Sequence, residues 1–125
     1  MAVKITRIAS PPNLEDDKPK YAARPGEMIM AAAIRRPDDG QYWYSAPPAR
    51  HGDIMHSIVV RERISCVPGH WDQGFVTNRL RFVGREEAML IAKRAGQVRP
   101  YTRTEDGVTR THFPTGRELF TEDMW

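Results

Sequence analysis

One cysteine, Cys66, stands in a chain of 125 residues, so an intrachain disulfide and a zinc site made of several thiolates are both excluded. A lone thiol suits a reducing cytosol. No apolar run is longer than the seven residues from Met28 to Ile34, far short of the roughly 20 that cross a bilayer. The first residues lack the apolar core of a secretory signal. Absent too are a Gly-x-Gly-x-x-Gly or Walker-type phosphate loop and a Gly-x-Ser-x-Gly nucleophile elbow. Cys66 has no identifiable base beside it, so nucleophilic catalysis finds little support. These absences predict a cytoplasmic protein with no membrane partner.

What is present is ordinary in amount and uneven in placement. Hydrophobic residues make up 40% and charged residues 28%, with a mean hydropathy of −0.59, as in a folded domain that keeps water outside. The net charge is only +3. Residues 76–117 carry nine Lys and Arg against four Asp and Glu, whereas the last eight residues carry three acids and no base. An arginine-rich segment of this kind suits an anionic partner such as a phosphate or nucleotide, and a solvated basic face is the competing reading.

Residues 1–26 are poor in aromatics and hold Pro11, Pro12, Pro19 and Pro25 beside the charged stretch 15–18. They read as an extended or flexible N-terminal arm with a short strand at 3–8, ahead of one domain over 27–125. Met28–Ile34 and Tyr42–Tyr44 flank a Pro-Asp-Asp-Gly turn and predict a β-hairpin. Ile54, Ile58 and Val59 recur at helical spacing, predicting a helix over 50–61. Residues 74–77 and 80–83 around Asn78-Arg79 predict a second hairpin. The clearest helix is 85–95: Ala88, Ile91, Ala92 and Ala95 share a face, acids open it, bases close it, and Gly96 follows. Residues 99–114, broken by prolines and a glycine, read as a mobile loop. The spacing of Thr115 and Glu118 predicts a short helical turn in the tail that docks Phe120 and Trp125. The expected fold class is α+β: β-hairpin, helix, β-hairpin, helix and tail.

Three constellations hold polar side chains in suggestive spacing. His51, Asp53 and His56 suggest a metal at first, but His51 and His56 are five apart on a helix and diverge, so no metal site is predicted. Arg50-His51 and Gly84-Arg85 place an arginine at the start of each helix, where unpaired N–H groups and the helix dipole favour an anion. Pairing of those arginines with nearby acids is the alternative. In Trp71-Asp72-Gln73-Gly74-Phe75 a base could stack on a ring while Gln73 reads its edge, although Phe75 fits a core position as well.

These segments, with Ala31-Ala32-Ala33-Ile34, Ala49-Arg50-His51, Gln73-Gly74-Phe75, Ala95-Gly96-Gln97 and the tail Leu119-Phe120-Thr121-Glu122-Asp123-Met124-Trp125, resemble a family of small phage and prophage proteins. The resemblance runs from about residue 30 to 125, omitting 99–114. Through that family the chain is similar to phage anti-Thoeris proteins, which bind and sequester cyclic ADP-ribose signals of bacterial immunity. The resemblance implies an oligomeric sponge in the host cytoplasm rather than an enzyme, with no cofactor. Its ligand would be a small nucleotide-like anion held by Arg50, His51, Trp71, Gln73, Phe75 and Arg85. Two other function classes stand beside it. One is a metal-assisted phosphodiester hydrolase using His51, Asp53 and His56; the other is a module that binds a host defence protein or nucleic acid through residues 76–117. The chain departs from the pattern at Gly52, where a second histidine or another polar residue is expected, and in its proline-rich arm.

Overall fold

A computed structural model of the chain describes residues 2–9, 25–65, 70–112 and 116–124. Five strands form one antiparallel sheet: β1 (Thr6–Ile8), β2 (Ile29–Arg35), β3 (Tyr42–Ser45), β4 (Asp72–Thr77) and β5 (Phe82–Val83), in the spatial order β1-β3-β2-β4-β5. Between β3 and β4 runs helix α1 (His51–Ser57), which continues into a π-helical segment, Ile58–Glu62. Helix α2 (Arg85–Arg94) follows β5, and a separate two-stranded sheet pairs β6 (Tyr101–Glu105) with β7 (Val108–His112). A 3-10 turn, Thr121–Asp123, lies in the tail. The chain is therefore an α+β fold.

The central strand explains its own alanines. Because successive side chains of a strand point to opposite faces, Ala32 and Ile34 face one core and Ala31 and Ala33 another. The first core joins them to Trp43, Ile54, Ile58, Phe75, Ala88, Ile91, Ala92 and Leu119, so α1, α2 and the tail all cover that side. The second sets the two central alanines against Tyr42, Val76 and Phe82. Small residues in the middle leave room for these rings on either side. Tyr42 donates its hydroxyl to the carbonyl of Leu80, and Phe82 lies 5.8 Å from the Tyr42 ring.

The two hairpins and two helices fall where periodicity places them, with instructive differences. Helix α1 reaches Glu62 through a wider π turn and ends at Arg63, whose φ of 56° is left-handed. Helix α2 ends in a Schellman arrangement: Gly96, at φ 70°, gives its N–H to Lys93 O, and Gln97 gives its N–H to Ala92 O. The Gln97 side chain then brackets the backbone of Ile29, accepting its N–H at 2.8 Å and donating to its carbonyl at 2.7 Å. The Ala-Gly-Gln helix end thus locks α2 to the central strand.

Three expectations need correction or restriction. Residues 101–112, read as a mobile loop, form the β6–β7 hairpin, because Asp106 (φ 53°) and Gly107 (φ 77°) make a two-residue turn between two strands. In the tail, Leu119 rather than Phe120 is the buried anchor; Phe120 is 44% exposed. The cap of the tail turn is Asp123, which accepts the Phe120 N–H at 2.9 Å. Thr115, Trp125, Cys66 and most of the arm (10–24) lie outside the described residues. The part of the arm that is described supplies β1, which pairs with β3 through Thr6–Tyr44, Arg7–Trp43 and Ile8–Tyr42.

Candidate functional site

The first turns of α1 and α2 and the C-terminal tail border one cleft of about 410 Å³. Arg50, His51, Gly52 and Asp53 form one side, and Gln73, Arg85, Phe120 and Thr121 the other. Residues distant in sequence meet here because β4 carries Gln73 to the end of the sheet where both helices begin.

Each wall is held by its own network. Asp53 accepts the backbone N–H of Arg50 at 2.9 Å, which fixes the start of α1. His51 is buried, its Nε2 donating to the carbonyl oxygen of Gly74 at 2.7 Å and its ring meeting Phe75 edge-on at 5.2 Å. Across the cleft, the Arg85 guanidinium donates to Gln73 Oε1 and to the Leu119 carbonyl, both at 2.8 Å. Its Cζ also lies 4.5 Å from the centre of the Phe120 ring. Leu119 returns a backbone N–H to the Arg85 carbonyl at 3.0 Å, so tail and helix are tied in both directions. A planar guanidinium held by two fixed acceptors loses little freedom when an anion approaches.

Four of the six predicted site residues, Arg50, His51, Gln73 and Arg85, line this cleft. Trp71 and Phe75 do not. Trp71 is half-buried against Trp43, 5.4 Å between ring centres, with Arg36 5.8 Å from its ring. Phe75 is fully buried beneath His51. The aromatic surface at the cleft comes from Phe120, which sequence reasoning placed in the core. Its signal was the tail motif, but only the fold reveals that the motif reaches the first turn of α2.

A second charged cluster lies elsewhere. Arg81, 5% exposed, donates to both carboxylate oxygens of Glu27, at 3.1 and 3.0 Å, and to Glu87 at 2.8 Å. Burial opposes its charge, but the hydrogen bonds it donates to Glu27 and Glu87 outweigh that and hold the guanidinium pKa above its usual value. The cluster joins the segment before β2 to α2 and is structural. Among the described residues no three His, Cys, Asp or Glu side chains converge to hold a metal ion, and no helix is long and apolar enough to cross a membrane.

A small antiparallel sheet with two helices on one face, a two-arginine cleft at the helix starts and a tail closing one wall define a small α+β domain. Its sequence matches the profile of the phage T4 y16D protein over residues 28–125, and the chain belongs to that family. The match starts beyond β1 and takes in every residue of the cleft. No curated protein and no solved structure matches the chain.

Proposed function

We propose that this phage protein captures a phosphate-bearing, nucleotide-like small molecule in the cleft between the two helix starts and releases it unchanged. In this reading Arg50 and Arg85 hold phosphate oxygens, Gln73 and His51 border the polar part of the ligand, and Phe120 offers a ring for a base. The observation that carries the reading is the meeting of Arg50 and Arg85, each from the start of a different helix, at one cleft. Helix starts favour anions through unpaired N–H groups and the dipole. Together with the phage family, this supports an anti-defence role in which a cyclic nucleotide or ADP-ribose-derived immune signal is sequestered, as the anti-Thoeris resemblance implies.

Hydrolysis through His51, Asp53 and His56 has no comparable support. His51 is turned into the Gly74 carbonyl, Asp53 caps α1, and His56 is exposed.

The test is to incubate the purified protein with extract from phage-infected bacteria that carry nucleotide-signalling immunity, then heat it and identify the released molecules by mass spectrometry. An intact cyclic nucleotide in stoichiometric amount is the expected result. Cleaved products would replace sequestration by catalysis, and an empty protein would remove the small-molecule reading.

A further inference from the structure

We propose that the β6–β7 hairpin joins two copies of this chain: β6 of one copy pairs antiparallel with β6 of the other, and Arg103 stands opposite the partner's Glu105 on both sides of a two-fold axis at Thr104. This interface is separate from the cleft and independent of the reading given to it. The hairpin stands outside the five-stranded sheet, and among the described residues no other strand pairs with either of its edges. Residues 102–111 are all exposed and enter neither core. A lone two-stranded hairpin is marginal in water, and further strands are one way to stabilise it. Proteins often blunt an open edge with a proline, a lysine or a bulge. Residues 101–112 hold no proline or lysine, and their pairing runs without a register shift.

The charges of the ribbon balance one another and fall in separate rows. Arg103 and Arg110 face each other across the strands, whereas Glu105 and Asp106 lie toward the turn, and all four line one hollow of about 220 Å³. Within a single chain Arg103 therefore has a like charge directly opposite, which is destabilising. Its acidic neighbour is on its own strand: Glu105 is 3.5 Å away, and the two side chains are 60% and 70% exposed, so the pair contributes little. A row of bases beside a row of acids becomes complementary to itself after a two-fold rotation.

Backbone geometry selects the register. Asp106 and Gly107, both at positive φ, make a two-residue turn closed by the hydrogen-bonded pair Glu105–Val108. Hydrogen-bonded and non-hydrogen-bonded pairs alternate along an antiparallel ladder, so Arg103 and Glu105 turn their amides and carbonyls toward β7, and Thr102 and Thr104 turn theirs outward. With the axis at Thr104, the two copies of that residue exchange their outward hydrogen bonds. Arg103 then meets the partner's Glu105 in the closer, non-hydrogen-bonded position. A slip of two residues sets Arg103 against the partner's Arg103 instead. The outer edge of β7 offers no such match, because an axis at Thr109 or Thr111 sets Arg110 against a valine or a histidine.

Sedimentation equilibrium of the full-length protein from about 10 to about 500 µM tests this, a range chosen because so small an interface gives a weak, reversible dimer. The mass should rise with concentration toward twice the 14.3 kDa of one chain. R103E sets acid against acid between copies while relieving the clash with Arg110 inside each, so it should weaken association at least about tenfold and leave the melting temperature no lower. E105R should weaken association in the same way by setting base against base. R103E/E105R, which exchanges the two charges, should restore the dimer, and an equimolar mixture of R103E and E105R should form a mixed dimer. Three results would each overturn the proposal: the mass of one chain at every concentration, an oligomer whose mass R103E leaves unchanged, or no return of the dimer in R103E/E105R or in the mixture. The first would leave the β6 edge to a strand of another protein.

Discussion

His51 and Gly74 are joined across the fold by a 2.7 Å hydrogen bond between the imidazole Nε2 and the glycine carbonyl, one bond linking the first residue of α1 to the middle of β4. Gly74 can sit there only without a side chain: a Cβ would lie 2.3 Å from the carbonyl oxygen of Val83 and 2.6 Å from Cζ of Phe82. The close approach of β5 that excludes a methyl group also fixes where β4 presents its carbonyl. The cleft wall at His51 thus depends on Gly74, which does not itself line the cleft.

Replacing Gly74 by Ala should therefore cost about 3 kcal/mol of stability, since the nearest obstacle is backbone and cannot rotate away. Urea denaturation of G74A and of the parent measures the difference. A loss below about 0.5 kcal/mol would show that β5 moves aside freely.

Both cleft arginines should matter to binding. Arg85 carries structural contacts to Gln73, Leu119 and Phe120, so R85A is expected to lower stability by about 1–2 kcal/mol as well as affinity. R50A should weaken binding of the nucleotide proposed for the cleft about thirtyfold, or about 2 kcal/mol. Calorimetric titration with that nucleotide, paired with thermal melts, measures both effects. Unchanged affinity in R50A would remove Arg50 from the binding surface.

The buried Glu27–Arg81 pair should respond asymmetrically. E27L leaves the Arg81 guanidinium buried without its bidentate acceptor and should cost about 3 kcal/mol or more, whereas E27L/R81M removes both charges and should cost less than E27L alone. Chemical denaturation of the two variants compares them directly. If the double variant were the less stable, the pair would be a net contributor in its own right.

A pH effect follows from Arg36 and Asp39, which are 2.7 Å apart in the turn between β2 and β3. The hydrogen bond from Arg36 holds the Asp39 carboxyl below its ordinary pKa. A carboxylate with a lowered folded-state pKa contributes stability above its unfolded value, near 4, and loses it as pH falls through the folded value. The melting-temperature gap between the parent and D39N should hence be constant near neutrality and close below pH 4. A gap that widened on acidification would contradict this pairing.

Much of this fold is legible in the residues themselves. Arg85–Arg94 carries its acids first, its bases last and Gly96 just beyond, so local chemistry and tertiary packing agree there. Residues 101–112 misled because prolines and polar residues nearby suggested a loop, while the decisive signal was one dipeptide, Asp106-Gly107, between alternating threonines and arginines. The cleft was readable in half. Arg50 and Arg85 stand out through their positions at helix starts, a local property. Phe120 was not, because its role depends on Leu119 anchoring the tail against Arg85, a contact between distant parts of the chain. Trp71 drew notice as a ring near a glycine, yet it lies just ahead of β4 and packs against Trp43.

The short first strand has a meaning beyond adding three residues to a sheet. Val3 and Lys4 receive the hydroxyls of Ser57 and Ser45 at 2.7 and 2.6 Å, and Thr6–Ile8 completes the backbone pairing of β3. The family match begins only at residue 28. A chain cut back to that segment would turn the open amides and carbonyls of Tyr42–Ser45 toward solvent, an adhesive border that recruits strands from other molecules and seeds aggregation. With β1 in place that border is sealed from within, and the outermost strand is short and carries an exposed threonine and arginine.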